Sequence, residues 1–354
     1  VGIGHASPIV VGDRVFVFTR EGEDESLQAL DLVSGARAWR QAYPAPYSLN
    51  SAASSHGKGP KATPACADGR IFTLGIGGKL SAFDAATGRL LWRKDFSGQH
   101  RESAPLYGTA TSPLVDRGLV IVWVGTDGDG ALNAFDAATG AVRWAWKGDG
   151  PGYASPVVAE LGGVRQVVTQ SQRNLLGISV DKGALLWKIP FTTEYAQNSV
   201  TPVVAGDRVV YSGIGHPMKA VRPFREGGAW RTEPVWGNSE VTCYMSTPVL
   251  VGGRLCGLSA RRKGQAFCLD AATGKTSWLS AGRDGESAAV VAGGGVLFIL
   301  STEGELVVAP PGGAAFAPLA RYTVASSATW AHPVVLPGGV LVKDVDSLAF
   351  WKWE

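Results

Sequence analysis

Short apolar runs alternate with polar turn residues along the whole chain, and they recur in a fixed order. A Gly/Asp turn such as GDR (12–14), ADGR (67–70), GDR (206–208) or GGR (252–254) precedes an apolar run: VFVF (15–18), IFTL (71–74), VVY (209–211) or VLFIL (296–300). A glycine-rich turn then leads to LSAF (80–83), LNAF (132–135) or LVVA (306–309). Period-two patterning broken by frequent turn signals predicts antiparallel sheet. No stretch has the spacing of an amphipathic helix.

Two phrases set the period. Ser/Thr-Pro followed by apolar residues stands at SPIVV (7–11), TPACA (63–67), SPLVD (112–116), SPVVA (155–159), TPVVA (201–205) and TPVLV (247–251), with HPVVL (332–336) and SAAVV (287–291) as variants. The second phrase is FDAATGRLLW (83–92), FDAATGAVRW (135–144) and LDAATGKTSW (269–278), with looser copies LDLVSGARAW (30–39) and SVDKGALLW (179–187). The prolines or their stand-in are 41–56 residues apart and mark eight units that fill all 354 residues. Four short strands per unit at this period predict a single all-β domain over 1–354, an eight-bladed β-propeller of four-stranded antiparallel blades. A lone blade is apolar on both faces, so it must pack between neighbours. The last unit has SLAF (347–350) as its third strand and Trp351–Glu354 for an outer strand, so that blade is expected to be incomplete. The segment that would complete it, and any export signal, are expected to precede Val1.

The repeated phrase reads as a corner. In LNAFDAATGAVRW, Asp136 accepts hydrogen bonds from the backbone N–H groups that follow it, as in an Asx-turn. Gly140 supplies a left-handed conformation. Trp144 offers a large surface to the neighbouring blade. Aspartates that recur with the turn belong to the turn, so no catalytic role is assigned to them. No GxSxG or other nucleophile motif is present.

The strand–DAATG–xxx–W units paired with Ser/Thr-Pro-Val-Val resemble the pyrroloquinoline-quinone-like β-propeller repeat family. That family includes quinoprotein alcohol dehydrogenases and the outer-membrane assembly lipoprotein of the β-barrel insertion machinery. The resemblance covers the whole chain and implies an eight-bladed propeller. For the dehydrogenases it also implies quinone on the propeller axis, Ca²⁺ held by Glu, Asn and Asp, and a disulfide between adjacent cysteines. The cysteines here are Cys66, Cys243, Cys256 and Cys268, none of them adjacent, and no Glu/Asn/Asp set matches the family's metal ligands. No cofactor is therefore expected, with pyrroloquinoline quinone plus Ca²⁺ as the alternative.

Composition removes other classes. A net charge of +3 is too small for a nucleic-acid surface. No apolar run approaches the roughly 20 residues of a membrane span. Cys256 and Cys268 flank the turn-rich SARRKGQ and stand opposite each other in one predicted hairpin. Small buried thiols are the expectation there and a disulfide the alternative, so cysteine usage does not fix the compartment.

Candidate binding residues follow from the fold. The strand bearing Ser/Thr-Pro is expected to line the axis, and side chains two apart share a face. One ring then holds the residues before proline: Ser7, Thr63, Ser112, Ser155, Thr201, Thr247, Ala288 and His332, nearly uniform and read as a hydroxyl collar. The other, three before proline, is varied: His5, Lys61, Ala110, Tyr153, Ser199, Met245, Glu286 and Trp330. The expected mouth comprises His5, Lys58, Lys61, Tyr107, Tyr153, Tyr195, Asn198, Tyr244, Glu286, Trp330 and His332. Lys58, Lys61 and His5 are suited to a carboxylate or sugar acid, and the four tyrosines to stacking a sugar or quinone ring. His332, His5 and His56 sit one, three and eight residues before their prolines. At roughly 3.3 Å per residue this spreads them over about 20 Å, so no shared metal is expected unless the His56 loop folds back. Two stretches break the repeat: the loop at 40–64, and GIGHPMKAVRPFREGGAWRTEPVW (213–236), read either as drift or as a partner surface. The resulting expectation is a non-catalytic exported propeller, periplasmic or extracellular, that binds a protein or peptide, with an anchor before Val1 left open. The alternative is an axial-site ligand binder or enzyme, quinoprotein-like or carbohydrate-acting.

Overall fold

The computed structural model describes residues 1–99, 105–126 and 130–353. Eight antiparallel sheets succeed one another, each with its strands in simple up-and-down order. These are the eight blades of the expected all-β propeller. The chain divides into two compact units. One is Val1–Pro156 with Val345–Ala349, and the other is Val157–Asp344 with Phe350–Glu354.

Blade one shows the pattern, with strands Ile9–Val11, Arg14–Glu21, Asp24–Asp31 and Arg37–Pro44. Its first strand, three residues long, begins directly after Pro8, which has no N–H to donate to a ladder. The second and third strands are buried along nearly their whole length, on both faces. Both faces can be apolar because consecutive blades cover each other. In the first unit, Phe72 and Leu80 of blade two pack with Val120, Val122 and Phe135 of blade three. In the second, Val210 and Ala220 of blade five pack with Leu255, Phe267 and Leu269 of blade six.

The repeated corner is built as its residues require. Just before it, a register shift between the third and fourth strands recurs in blades one to six, for example at Ala82/Phe83 and Ala134/Phe135. Such a one-residue bulge bends the chain outward. Asp136 Oδ1 then accepts the N–H groups of Ala138 and Thr139 and the Thr139 hydroxyl, and Asp84 and Asp270 do the same with Thr87 and Thr273. The tryptophan reaches the next blade. Trp39 Nε1 donates to the Ala85 carbonyl at 3.2 Å, Trp92 Nε1 to Ala137 at 3.1 Å, and Trp236 Nε1 to Ala271 at 3.1 Å.

Two expectations are corrected. Cys256 and Cys268 are not separate buried thiols. They are directly paired across the hairpin Arg254–Ser259/Gln265–Asp270 and bonded, with Cα atoms 4.1 Å apart. Trp351 does not begin an outer strand: blade eight has three strands, Val334–Leu336, Gly339–Lys343 and Leu348–Lys352, and Trp351 lies in the third. Blade five differs from the others in its outer two strands. Without the Asp corner its third and fourth strands lengthen into an arm, His216–Glu226 and Ala229–Asn238, which turns at Gly227–Gly228. Trp236 keeps its docking position on blade six.

Candidate functional site

The segments leading into each blade's first strand carry the expected site residues. Backbone N–H groups before the prolines bind the hydroxyl of the same position one blade on. Ser7 N donates to Thr63 Oγ1 at 3.1 Å, Thr63 N to Ser112 Oγ at 3.0 Å, and Ser112 N to Ser155 Oγ at 3.0 Å. In the second unit Thr201 N donates to Thr247 Oγ1 at 3.0 Å. These hydroxyls are structural, as their uniformity implies. None of the varied residues three before proline is buried.

In the first unit these segments bring four rings into one chain of successive contacts. His5 and His56 lie 5.6 Å apart between ring centroids, His56 and Tyr107 5.5 Å, and Tyr107 and Tyr153 5.7 Å. Each pair is edge-to-face, a geometry aromatic rings favour. The expected wide separation of His5 and His56 is therefore wrong, because strand counting does not hold for a loop that folds back. The loop is held back by two devices. Pro60 O accepts the N–H groups of His5 at 2.8 Å and Ala6 at 3.0 Å. Arg20, fully buried, donates through Nε to Lys58 O at 2.9 Å and through a terminal nitrogen to Ala45 O at 2.5 Å. Beside it the buried Glu25 accepts Ile76 N–H at 2.8 Å and the Tyr43 hydroxyl at 3.0 Å. Burial raises the Glu25 carboxyl above the usual range, and those hydrogen bonds and the Arg20 charge oppose the rise.

Lys61 follows this fold-back directly. Its ammonium donates to Gly57 O at 3.3 Å. Burial pushes its pKa down to about 8. Burial, and then the charge of Lys61, lowers the His56 imidazole. Lys58 points elsewhere, to Glu23 at 3.5 Å.

The second unit does not gather its candidates in this way. Tyr195 is 76% exposed, on a short turn with φ of 56°. Asn198 is fully buried, and its carboxamide braces a loop rather than facing a ligand. Its Nδ2 donates to Ser171 O, Gln172 O and Phe191 O, and its Oδ1 accepts Thr193 N–H. Tyr244 donates its hydroxyl to Gln197 Oε1 at 2.5 Å. Trp330 is partly covered and His332 exposed. Glu286 lines an open cleft of about 370 Å³ with Lys263, Arg283, Asp284, Glu303 and Glu305, a surface of mixed charge.

Sequence reasoning missed Arg20 and set His56 aside. A charged residue closing the apolar run VFVFTR was the available signal for Arg20. The resemblance to quinoprotein dehydrogenases also implies adjacent cysteines and a Glu/Asn/Asp metal set. No cysteines are adjacent, and among the described residues no three His, Cys, Asp or Glu side chains gather as a metal set.

Comparison with known proteins agrees with the geometry. A family model described as outer membrane protein assembly factor BamB matches residues 23–280. The outer membrane protein assembly factor BamB of Shewanella oneidensis is 28% identical over 228 residues, 61% of this chain and 55% of that protein. The chain thus spans about half the length of this curated relative. The quinohemoprotein alcohol dehydrogenase ADH-IIG of Pseudomonas putida is 39% identical over 92 residues, 25% of this chain and 12% of that one. The crystal structure of BamB from Moraxella catarrhalis superposes with a TM-score of 0.68 at 14% identity, covering 97% of this chain and 92% of that one. With its corner phrases inside the matched span, this chain belongs to the PQQ-like propeller family described as outer membrane protein assembly factor BamB.

Proposed function

We propose that this chain is an exported, non-catalytic binding module that holds protein or peptide partners during outer membrane assembly. The observation that carries the reading is the family match over 23–280. The repeated residues inside that span pack blades and do no chemistry. Asp84, Asp136 and Asp270 are engaged in their own turns, and Trp39, Trp92 and Trp236 are docked on the next blade. The Cys256–Cys268 bond supports export, since disulfides persist in oxidising compartments such as the periplasm. The test is complementation. The chain, carried on an export signal, is expressed in Shewanella oneidensis lacking its own assembly factor, and outer membrane protein levels are measured. Restored levels are expected, and levels that stay at those of the deletion strain overturn the reading.

A second reading is favoured by the 92-residue match to a quinohemoprotein alcohol dehydrogenase. In it the axial segments bind quinone. Calorimetric titration with pyrroloquinoline quinone and Ca²⁺ separates the two. A flat trace is expected, and tight saturable heat reverses their order.

A further inference from the structure

The chain of contacting rings in the first unit has a basic group at its base and a geometry that selects among ligands. Lys61 is partly covered, and among the described residues the one hydrogen-bonding contact of its ammonium is Gly57 O at 3.3 Å. An ammonium has three donors, so two remain to be satisfied. No carboxylate lies within ion-pair distance of it among the described residues, whereas neighbouring Lys58 has Glu23. His56 is also basic, and the charge of Lys61 lowers its imidazole, so the two disfavour each other's charge. Burying a cation without an opposite charge is costly, and an anion held between Lys61 and His56 removes that cost.

The rings narrow the choice of anion. Their interplanar angles are 71°, 89° and 75° for His5–His56, His56–Tyr107 and Tyr107–Tyr153. No two adjacent rings are parallel, so no adjacent pair sandwiches a flat aromatic ligand. They do present single ring faces and edges at successive angles, which suits a puckered ring with C–H groups on one side. The group is also held in place beforehand. Pro60 O ties the His5 segment, Arg20 ties the Lys58 carbonyl, and the proline-collar bonds link the strands beneath. A preformed site loses little ordering entropy on binding.

We infer that His5, His56, Lys61, Tyr107 and Tyr153 form a binding site for a carboxylate-bearing sugar. The carboxylate sits on Lys61 and His56, and the pyranose lies against the tyrosines. This site is independent of the assembly role, and complementation and sugar binding can each fail alone.

The probes are glucuronate, glucose and acetate, titrated into the full chain by calorimetry at pH 7. Glucuronate is expected to bind saturably, and glucose and acetate each at least tenfold more weakly. Lys61→Gln is expected to weaken glucuronate at least tenfold, and Tyr107→Leu several-fold. Lys58→Gln, whose lysine faces Glu23, is expected to stay within twofold of the parent. Absence of saturable glucuronate binding overturns the proposal, as does binding indifferent to Lys61→Gln. Acetate binding as tightly as glucuronate removes the sugar. If Lys61→Gln does not fold, the unaltered protein is acetylated with an amine-selective reagent and read by mass spectrometry. Glucuronate must then slow labelling of Lys61 and not of Lys58, and equal labelling with and without it refutes the site.

Discussion

Gly88, Gly140 and Gly274 each meet two demands at one atom. Their φ values are +75°, +70° and +70°, where a side chain is strained. A Cβ on Gly88 would come within 2.5 Å of the Trp39 ring and one on Gly140 within 2.8 Å of Trp92, while Gly274 faces Trp236 in the same way. Gly35 holds the same corner position in blade one with φ of +70°, but nothing lies within 4 Å of its Cβ site, and it is exposed. The four glycines separate the two effects. Gly35→Ala should cost only the conformational penalty, about 1–2 kcal/mol. Gly88→Ala, Gly140→Ala and Gly274→Ala add displacement of a packed ring, a further 1–3 kcal/mol or so. Urea unfolding of the four variants checks this, and equal losses would mean the tryptophans contribute nothing at the corner. The corner aspartates make a second prediction. Hydrogen bonds from the Thr side chain and backbone hold the carboxyls of Asp84, Asp136 and Asp270 below the ordinary value. A depressed folded-state value means stability that is present above pH of about 4, where the unfolded aspartates are ionised. It is lost as pH falls through the lower folded values. The triple Asp→Asn variant lacks this dependence, so its stability deficit relative to the parent should shrink between pH 5 and pH 2. A deficit constant over that range contradicts the assignment.

The element that shapes the candidate site is the 40–64 loop, and its anchor is one arginine. Arg20 is buried on a strand and reaches the carbonyls of Lys58 and Ala45. Its charge also lies near Glu25, which holds Ile76. Arg20→Met should leave two buried carbonyls unmatched and the carboxyl uncompensated, a loss of roughly 3–5 kcal/mol. Cleavage by a nonspecific protease should concentrate between residues 45 and 60, and the glucuronate affinity should fall with it. A variant that melts lower but is cut no faster in that loop would leave Arg20 a core residue with no role in the site. The same element shows where the sequence stops being legible. Strand periodicity located every blade because the main chain there obeys one rule, the alternation of faces. The 40–64 loop obeys none, so extended-chain spacing placed His5 and His56 far apart when a fold-back fixed by Pro60 and Arg20 puts them in contact. His5, Lys61 and Tyr153 were picked out because their distance of three residues before proline carried over from blade to blade, and Tyr107 as one of four tyrosines preceding consecutive first strands. Asn198 was misplaced because a carboxamide that braces a loop looks, in sequence, like one offered to a ligand. The hairpin Arg254–Asp270 shows the converse: the register that opposes Cys256 and Cys268 was readable, but whether two apposed thiols bond was not.

At the scale of the molecule the repeat sets how perturbations spread. Each described apolar cluster joins two consecutive blades: one and two around Phe18 and Phe83, two and three around Phe72 and Phe135, four and five around Val168 and Val209, five and six around Leu255, six and seven around Cys256 and Leu297, seven and eight around Leu300 and Val340. Stability in such an array is close to a sum of nearest-neighbour terms. Phe135→Leu removes packing from the cluster of blades two and three, a loss of roughly 1 kcal/mol on the scale of conservative core changes. It should therefore raise hydrogen exchange at Arg70–Leu74, Lys79–Asp84, Leu119–Val124 and Ala131–Asp136. Exchange at Arg254–Ser259 and Gln265–Asp270, in blade six, should stay at the parent level if opening is local. Equal acceleration in blades two, three and six would show that amides exchange through global unfolding. The blades would then be one cooperative unit, which is what the single continuous repeat across 1–354 leads one to expect when the perturbation is large. Comparing Phe135→Leu with the more damaging Phe135→Ala in the same experiment separates these regimes. The conservative change should show neighbour-limited opening, and the larger one should bring every blade's exchange to a common rate.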